Sequence, residues 1–370
     1  MEIADLDLLK SQVLWAAFVV SVLFGVIAQR THFCTMGAIS DIVNMGDWTR
    51  MRMWGLAVGV AVLGFAAMVW LGWIDPSKTI YASGRIIWLS ALVGGALFGW
   101  GMVLASGCGS KTLVRIGGGS LKSLVVFVVM GVASFATLRG VTAVLRNETV
   151  DQVAFELVPG SGLPQLLAAA SGWSVTDTTL WLGVAVGGLL VMWALLGRGF
   201  CSADNLLAGI GIGGTVAAMW WVSGRLGFVA EHPETLEAVY LASNSGRMES
   251  LTFTAPMAYA LDWLMFFSDR SKVLTLGVVS VAGVVLGAFV YALATRSFRW
   301  EGFRDTRDTA LHLVGAVCMG VGGVTAMGCT VGQGLSGLST LSVTSFIAVT
   351  GIVAGALAGF RFQLWLLERD

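Results

Sequence analysis

The sequence predicts an all-α polytopic membrane protein with about nine spanning helices, short intramembrane or re-entrant helices between them, and two pseudo-symmetric halves. Three observations predict it. Of 370 residues, 56% are hydrophobic and only 12% charged, with a mean hydropathy of +0.82; a soluble domain usually carries roughly 25% charge. Apolar runs of about 18 or more residues recur along the chain, the length that a bilayer core requires of a helix. Two Gly-rich stretches, each built around one cysteine, interrupt such runs: Ala105 to Ser120 and Ala326 to Ser339.

The N-terminal segment Met1 to Asp7 is acidic and lacks the basic start of a signal peptide. The first apolar run, 11–28, is therefore expected to persist as a helix. Further spans are expected at 51–73, 86–105, 121–145, 176–197, 211–228, 272–296, 309–327 and 340–366, with Arg, Lys, Gly or Pro in nearly every gap. Trp48 and Trp54 lie near one end of the second span, Trp70 and Trp73 near the other, a placement that fits interfacial anchoring. Six apolar pieces are too short to cross: Cys34 to Val43, Cys108 to Ile116, Leu163 to Ala170, Cys201 to Ile210, Ala255 to Phe267 and Cys329 to Leu338. Runs of about 10–14 residues are more often re-entrant or interfacial. Residues 1–370 read as a single membrane domain.

The halves share an order of motifs. Arg30-Thr31-His32-Phe33-Cys34 closes one span and Arg198-Gly199-Phe200-Cys201 closes another, each followed downstream by its Gly-Cys element. This reads as an internal repeat of roughly 11–145 against 176–366. Counting spans puts Cys108 and Cys329 on opposite sides but Cys34 and Cys201 on the same side. A strict inverted repeat needs both pairs opposed, so 211–228 or 255–267 is the expected place of a wrong assignment. Arg30, Arg50 and Arg52, together with Arg296, Arg299, Arg304 and Arg307, fall on one side with the C-terminus. The positive-inside bias makes that side cytoplasmic and the N-terminus external.

The chemistry centres on the cysteines. None of Cys34, Cys108, Cys201, Cys318 and Cys329 forms a C-x-x-C pair, so a dithiol redox motif or zinc site has little support. Cys318, inside a span, reads as packing, since a cysteine in an apolar helix behaves as a small hydrophobe. Cys108 and Cys329 sit where a helix breaks. Broken helices in a bilayer are tolerated where protein or a water-filled path covers the backbone, and a matched pair marks a transport site. Gly107, Gly109 and Gly328 allow the sharp turn and close approach. The helix that restarts offers free N–H groups and a partial positive charge, which favours an anion. Lys111 and Arg115 share a helical face with Cys108 and either add positive field or snorkel to the interface. The second element has no cation and offers Thr330, Gln333 and Ser336 as donors. A thiol adds a polarizable group and a weak S–H donor, suited to a soft, sulfur-bearing anion.

Other classes find less support. The zero net charge argues against nucleic acid. The three histidines are dispersed, so neither a metal nor a haem site is expected, and no other cofactor. Asp41, Asp204 and Asp262 read as proton relays or as helix-start acids. No phosphate-binding loop is present, so ATP hydrolysis is not expected. The rival from another class is a membrane thiol–disulfide oxidoreductase; a third reading is a passive channel or scaffold in which the cysteines are replaceable.

At Arg30 to Ala38, Leu104 to Gly109 and Met327 to Gly334 the chain resembles the YeeE/YedE family of bacterial inner-membrane proteins, which import thiosulfate. The resemblance runs over nearly the whole length. It implies an hourglass of nine spanning helices with short intramembrane helices, no enzymatic turnover, and a central path in which three cysteines relay thiosulfate through hydrogen bonds to sulfur. By motif these match Cys34, Cys108 and Cys329, with Cys201 as the repeat copy of the first motif. It also implies a bacterial inner-membrane location among lipids, and a small cytoplasmic sulfur carrier of the TusA type as partner. Some relatives are associated with selenium, so a selenium or other sulfur species is the alternative substrate.

Overall fold

The computed structural model describes residues 3–158, 160–233, 236–269 and 271–368. Met1 and Glu2 of the acidic start, and Glu234 and Thr235 of the polar stretch after the sixth span, lie outside the described residues. The chain is a polytopic all-α membrane protein: among the described residues, nine helical stretches are long and apolar enough to cross a bilayer. In chain order the helices are α1 (Ile3–Thr31), α2 (Thr35–Met45), α3 (Thr49–Trp70), α4 (Trp88–Leu104), α5 (Gly109–Gly117), α6 (Leu121–Arg139), α7 (Val141–Glu148), α8 (Leu163–Ser171) and α9 (Val175–Leu195). They continue as α10 (Ala203–Leu226), α11 (Thr254–Met265), α12 (Leu276–Ala294), α13 (Thr306–Thr325) and α14 (Val343–Leu367). A single π-helical turn, Gly332–Gly337, precedes α14.

Small residues set the helix contacts. A Cβ on Gly99 of α4 would overlap the Ile352 carbonyl of α14, and one on Gly355 the Ala96 carbonyl of α4. Gly25 and Gly287 allow the same approach between α1 and α12. Lipid supplies no hydrophobic drive between helices, so close backbone packing has to supply the attraction. α4 also packs on α13, α13 on α6, and α3 on both α9 and α10.

Loop pairings sort the two ends. At the N-terminal end, β1 (Arg85–Ile86) pairs with β2 (Phe155–Glu156), and β3 (Phe228–Val229) with β4 (Val239–Tyr240). Thr79 bridges to Met248 and Gly162 to Ser342 there, and Leu6 packs with Val229 and Leu241. At the opposite end, Ser120 bridges to Glu301, Arg30 pairs with Asp204 at 3.0 Å, and Arg52 Nη1 donates to the Trp193 carbonyl at 2.6 Å.

Five of the six short apolar pieces fold as short elements: α2, α5, α8, α11 and the π-turn. The sixth does not. Cys201 to Ile210 and the expected span 211–228 merge into α10, despite Gly209, Gly211, Gly213 and Gly214. In a bilayer the backbone has no water to bond, so a Gly-rich segment stays helical unless neighbours satisfy its break; two π stretches, Leu207–Gly211 and Val222–Leu226, absorb the irregularity. The expected span 121–145 ends earlier, at Arg139, because Gly140 leaves the helical region at ψ −152° and α7 begins a new direction. The parity counted from the sequence stands. α10 is long enough to cross and α11 is not, Cys34 and Cys201 lie toward one end, and α4 and α13 approach their Gly-Cys turns from opposite ends.

Candidate functional site

Each of three cysteines follows a left-handed residue by two positions and opens a new helical turn. His32 has φ 52°, Ser106 φ 57° and Met327 φ 56°. Cys34 is the N-cap of α2: its sulfur accepts the Gly37 N–H at 3.4 Å and its carbonyl the Ala38 N–H at 3.0 Å. Cys108 is the N-cap of α5, with its carbonyl accepting the Thr112 N–H at 2.9 Å. Cys329 accepts the Gly332 N–H on sulfur at 3.4 Å and the Gln333 N–H on its carbonyl at 2.8 Å. At Cys34 and Cys329 the sulfur takes the place of the Ser or Asp oxygen that usually satisfies a helix start; the Cys108 sulfur makes no such cap bond.

The two Gly-Cys turns are built alike. α4 ends with Ser106 N–H donating to Val103 (3.1 Å) and Gly107 N–H to Met102 (2.8 Å); α13 ends with Met327 N–H donating to Val324 (3.0 Å) and Gly328 N–H to Gly323 (2.8 Å). These bonds close a helix end through a left-handed residue, a position usually held by glycine. The sharp turn expected at Gly107 and Gly328 therefore falls one residue earlier, on Ser106 and Met327, whose φ is positive where the glycines' is not. The glycines serve close approach instead. A Cβ on Gly107 would lie 3.2 Å from Lys111 Cγ and 3.9 Å from Arg115 Nη1, so both cations fold back on that turn. A Cβ on Gly328 would lie 3.1 Å from Gln333 Cγ, and one on Gly109 3.3 Å from Met130 Cε.

The fold brings Cys34, Cys108 and Cys329 together. Cys34 and Cys108 are close enough to influence each other's charge, as are Cys108 and Cys329. Cys108 and Cys329 are fully buried and Cys34 half-buried. Ser110 Oγ sits 3.3 Å from the Cys108 sulfur, and Lys111 faces both Cys34 and Cys108. The Thr330 hydroxyl stands beside the Cys108 sulfur but completes no well-aligned hydrogen bond. From the N-terminal end, a cavity of about 280 Å³ reaches Met327 and Gly328 between Arg146, Glu249 and Tyr259.

Gln333, expected as a donor to a ligand, is committed to the fold. Its Nε2 donates to the Ala326 carbonyl at 2.6 Å and its Oε1 accepts from Ser345 Oγ at 2.6 Å. Cys201 stands apart: it is exposed, its sulfur contacts the Leu195 carbonyl at 3.6 Å, and Ser202 rather than the cysteine caps α10. Cys318 packs where α4 crosses α13, against Gly101. Two contributors were not read from the sequence. Tyr81 Oη donates to the Gly332 carbonyl at 2.6 Å, and Trp54 presses on Gly334; no local pattern marks either.

The sequence profile of the family described as sulphur transport matches residues 30–358, which holds all three central cysteines. The chain belongs to the sulphur transport family. Two relatives named thiosulfate transporter TsuA are similar nearly end to end. The one from Escherichia coli (strain K12) is 27% identical over 347 residues, 90% of either chain. The one from Spirochaeta thermophila is 26% identical over 372 residues, 96% of this chain and 99% of the relative. A shorter match, 30% over 94 residues and a quarter of this chain, is to the probable transporter YedE of Escherichia coli (strain K12), 21% of whose length it covers. Family membership and the apolar helices together support a multi-pass membrane transporter of a sulfur-bearing anion.

Proposed function

We propose that this protein imports thiosulfate, passing it between Cys329, Cys108 and Cys34 by non-covalent hydrogen bonds. The observation that supports the reading is the run of three thiols, each opening a helical turn, with Cys34 and Cys329 both close enough to Cys108 to interact with it electrostatically. A buried dianion needs donors. Helix starts provide N–H groups and positive potential, while the thiols provide weak, polarizable donors for the terminal sulfur. The cavity at Gly328 serves as the external mouth, which puts the N-terminus outside and the C-terminus in the cytoplasm, in keeping with the arginines near Glu301. The three cysteines, Thr330 and Lys111 are the residues assigned to the path, and a TusA-type carrier is the proposed acceptor beyond Cys34. The repeat reads best as α1–α6 against α10–α14, with α9 an added crossing, because α1 packs on α12 as α10 packs on α3.

Uptake of labelled thiosulfate into proteoliposomes holding only this chain tests the proposal; no uptake above empty vesicles sinks it. One observation favours a second reading. Neither Cys108 nor Cys329 has a sequence-adjacent resolving cysteine, but Cys34 is a spatial partner for Cys108. In that reading the Cys108 thiolate would take the outer sulfur of thiosulfate with release of sulfite, giving a persulfide, and the Cys34 thiolate would displace that sulfur as hydrosulfide, leaving a Cys34–Cys108 disulfide.

A further inference from the structure

At the N-terminal end a second recess lies between the end of α6, the end of α11 and the start of α12, and no step of the path uses it. It encloses about 300 Å³, within the range of small-molecule sites, about 300–1,000 Å³. Arg139, Tyr259, Asp262, Ser271 and Lys272 line it, and its surface is mostly polar. Lys272 Nζ is 2.6 Å from Asp262 Oδ2, so those two charges cancel. Arg139 is exposed and makes no hydrogen bond or ion pair among the described residues. The lining charges, Arg139 and Lys272 against Asp262, therefore leave one net positive. A cation at the end of α6 suits the helix dipole, yet the guanidinium keeps its donors open to a ligand.

The recess adjoins a groove of another kind, and Trp263 and Val278 line both. The groove, about 420 Å³, is walled by Leu14, Trp15 and Phe18 of α1 and by Val279 and Ala282 of α12, and its surface is almost wholly apolar. Both helices are spanning ones, so the groove faces lipid. Beside Trp263, the residues Leu264, Met265, Phe266 and Phe267 are each more than half exposed, and the polar Ser268 and Asp269 follow at once. An apolar run giving way to a polar one beside a tryptophan marks the level where hydrocarbon meets headgroups. We propose that recess and groove together hold one phospholipid of net negative charge, its phosphodiester against Arg139, Lys272 and Ser271 and one acyl chain between α1 and α12. A soluble anion has no use for the groove, and a neutral hydrocarbon none for the cation; an anionic amphiphile matches both. Basic residues at membrane level draw anionic headgroups in this way. Asn244 and Tyr259 line both the recess and the cavity at Gly328, so the headgroup stands beside that mouth. The site is independent of what the path carries.

Native mass spectrometry of the full chain in detergent, titrated with phosphatidylglycerol or phosphatidylcholine of equal chain length, tests the site. The wild type should bind its first phosphatidylglycerol about tenfold more tightly than phosphatidylcholine, the size expected for one charge-assisted contact. Arg139→Gln should lose that preference. Ala282→Trp fills the groove from an exposed position and should weaken both lipids while keeping the preference. Glycerol 3-phosphate, which has the headgroup chemistry without the chains, should displace neither. Equal affinity of the wild type for the two lipids, or a preference that survives Arg139→Gln, overturns the proposal. So does unchanged affinity in Ala282→Trp, or displacement by glycerol 3-phosphate, either of which would mark a site for soluble anions. If a variant fails to fold, the wild-type comparison of the two lipids decides alone.

Discussion

Ser106 and Met327 hold the same left-handed backbone, at φ 57° and 56°, at the ends of two helices that approach the centre from opposite faces of the protein. Neither side chain suits that conformation; a non-Gly residue there costs about 1–2 kcal/mol. Ser106→Gly and Met327→Gly should therefore fold normally, keep uptake and melt at or above the wild-type temperature in detergent. A β-branched residue adds strain, so Ser106→Val should lower stability by about 1–3 kcal/mol and reduce uptake. A Val variant that melts like wild type would show that these turns are not under conformational constraint.

The three central thiols should be needed as thiols. Alanine at Cys34, Cys108 or Cys329 should cut thiosulfate uptake by about 10- to 100-fold, the range for losing a hydrogen bond to a charged group. Serine keeps a donor but loses softness, and should remain much weaker than wild type. Cys318→Ala should be nearly silent, since that side chain packs between α4 and α13, and so should Cys201→Ser, which removes an exposed sulfur. Mass spectrometry of protein trapped with substrate separates relay from redox chemistry: a stoichiometric adduct on Cys108, or a Cys34–Cys108 disulfide formed in turnover, would sink the non-covalent mechanism.

Tyr81→Phe should destabilise the second break selectively. It leaves the Gly332 carbonyl without its 2.6 Å donor inside the protein, a loss of about 1–3 kcal/mol. Hydrogen exchange should rise at the amides of the π-turn while those of α5 stay protected. Equal protection at both turns would show that the phenol does not hold the break.

The clip between residues 118–122 and 299–301 should loosen in acid. The Lys122 ammonium, 2.6 Å from Glu301, holds that carboxyl below the usual range. A depressed pKa adds stability that is present above the unfolded value, about pH 4, and lost as pH falls through the folded one. The effect is small, since Glu301 is half exposed and surface pairs contribute about 0–1 kcal/mol. The protection factor of the Leu121 amide, which donates to the Glu301 carbonyl at 2.9 Å, should fall in acid for the wild type and stay level with pH in Glu301→Gln once the intrinsic pH dependence of exchange is divided out.

Much of this architecture was legible because a bilayer imposes length and polarity on every crossing. The spans, the short pieces at 34–43, 108–116 and 255–267, and the two Gly-Cys interruptions all carry local composition that a reader can score. What was hidden depends on geometry over distance. Arg198 to Cys201 looks like Arg30 to Cys34, yet Ser202 takes the capping role, which turns the Cys201 side chain to the surface. The glycines at 107 and 328 advertise a turn that their neighbours actually make. Tyr81 reaches Gly332 across 251 positions, and Trp54 acquires its place only when α3 packs beside the π-turn.

The capping role of the sulfurs has a bearing on inhibition. Cys34 and Cys329 each accept a backbone N–H on sulfur, so one lone pair is engaged and the thiol proton is steered away from its own helix. An alkylating reagent at either position removes the S–H donor but leaves a thioether sulfur that still accepts the backbone N–H. The turn that follows therefore keeps its cap while the thiol is lost to the substrate. A methyl-sized reagent should block uptake while the amides of that turn keep their protection from hydrogen exchange.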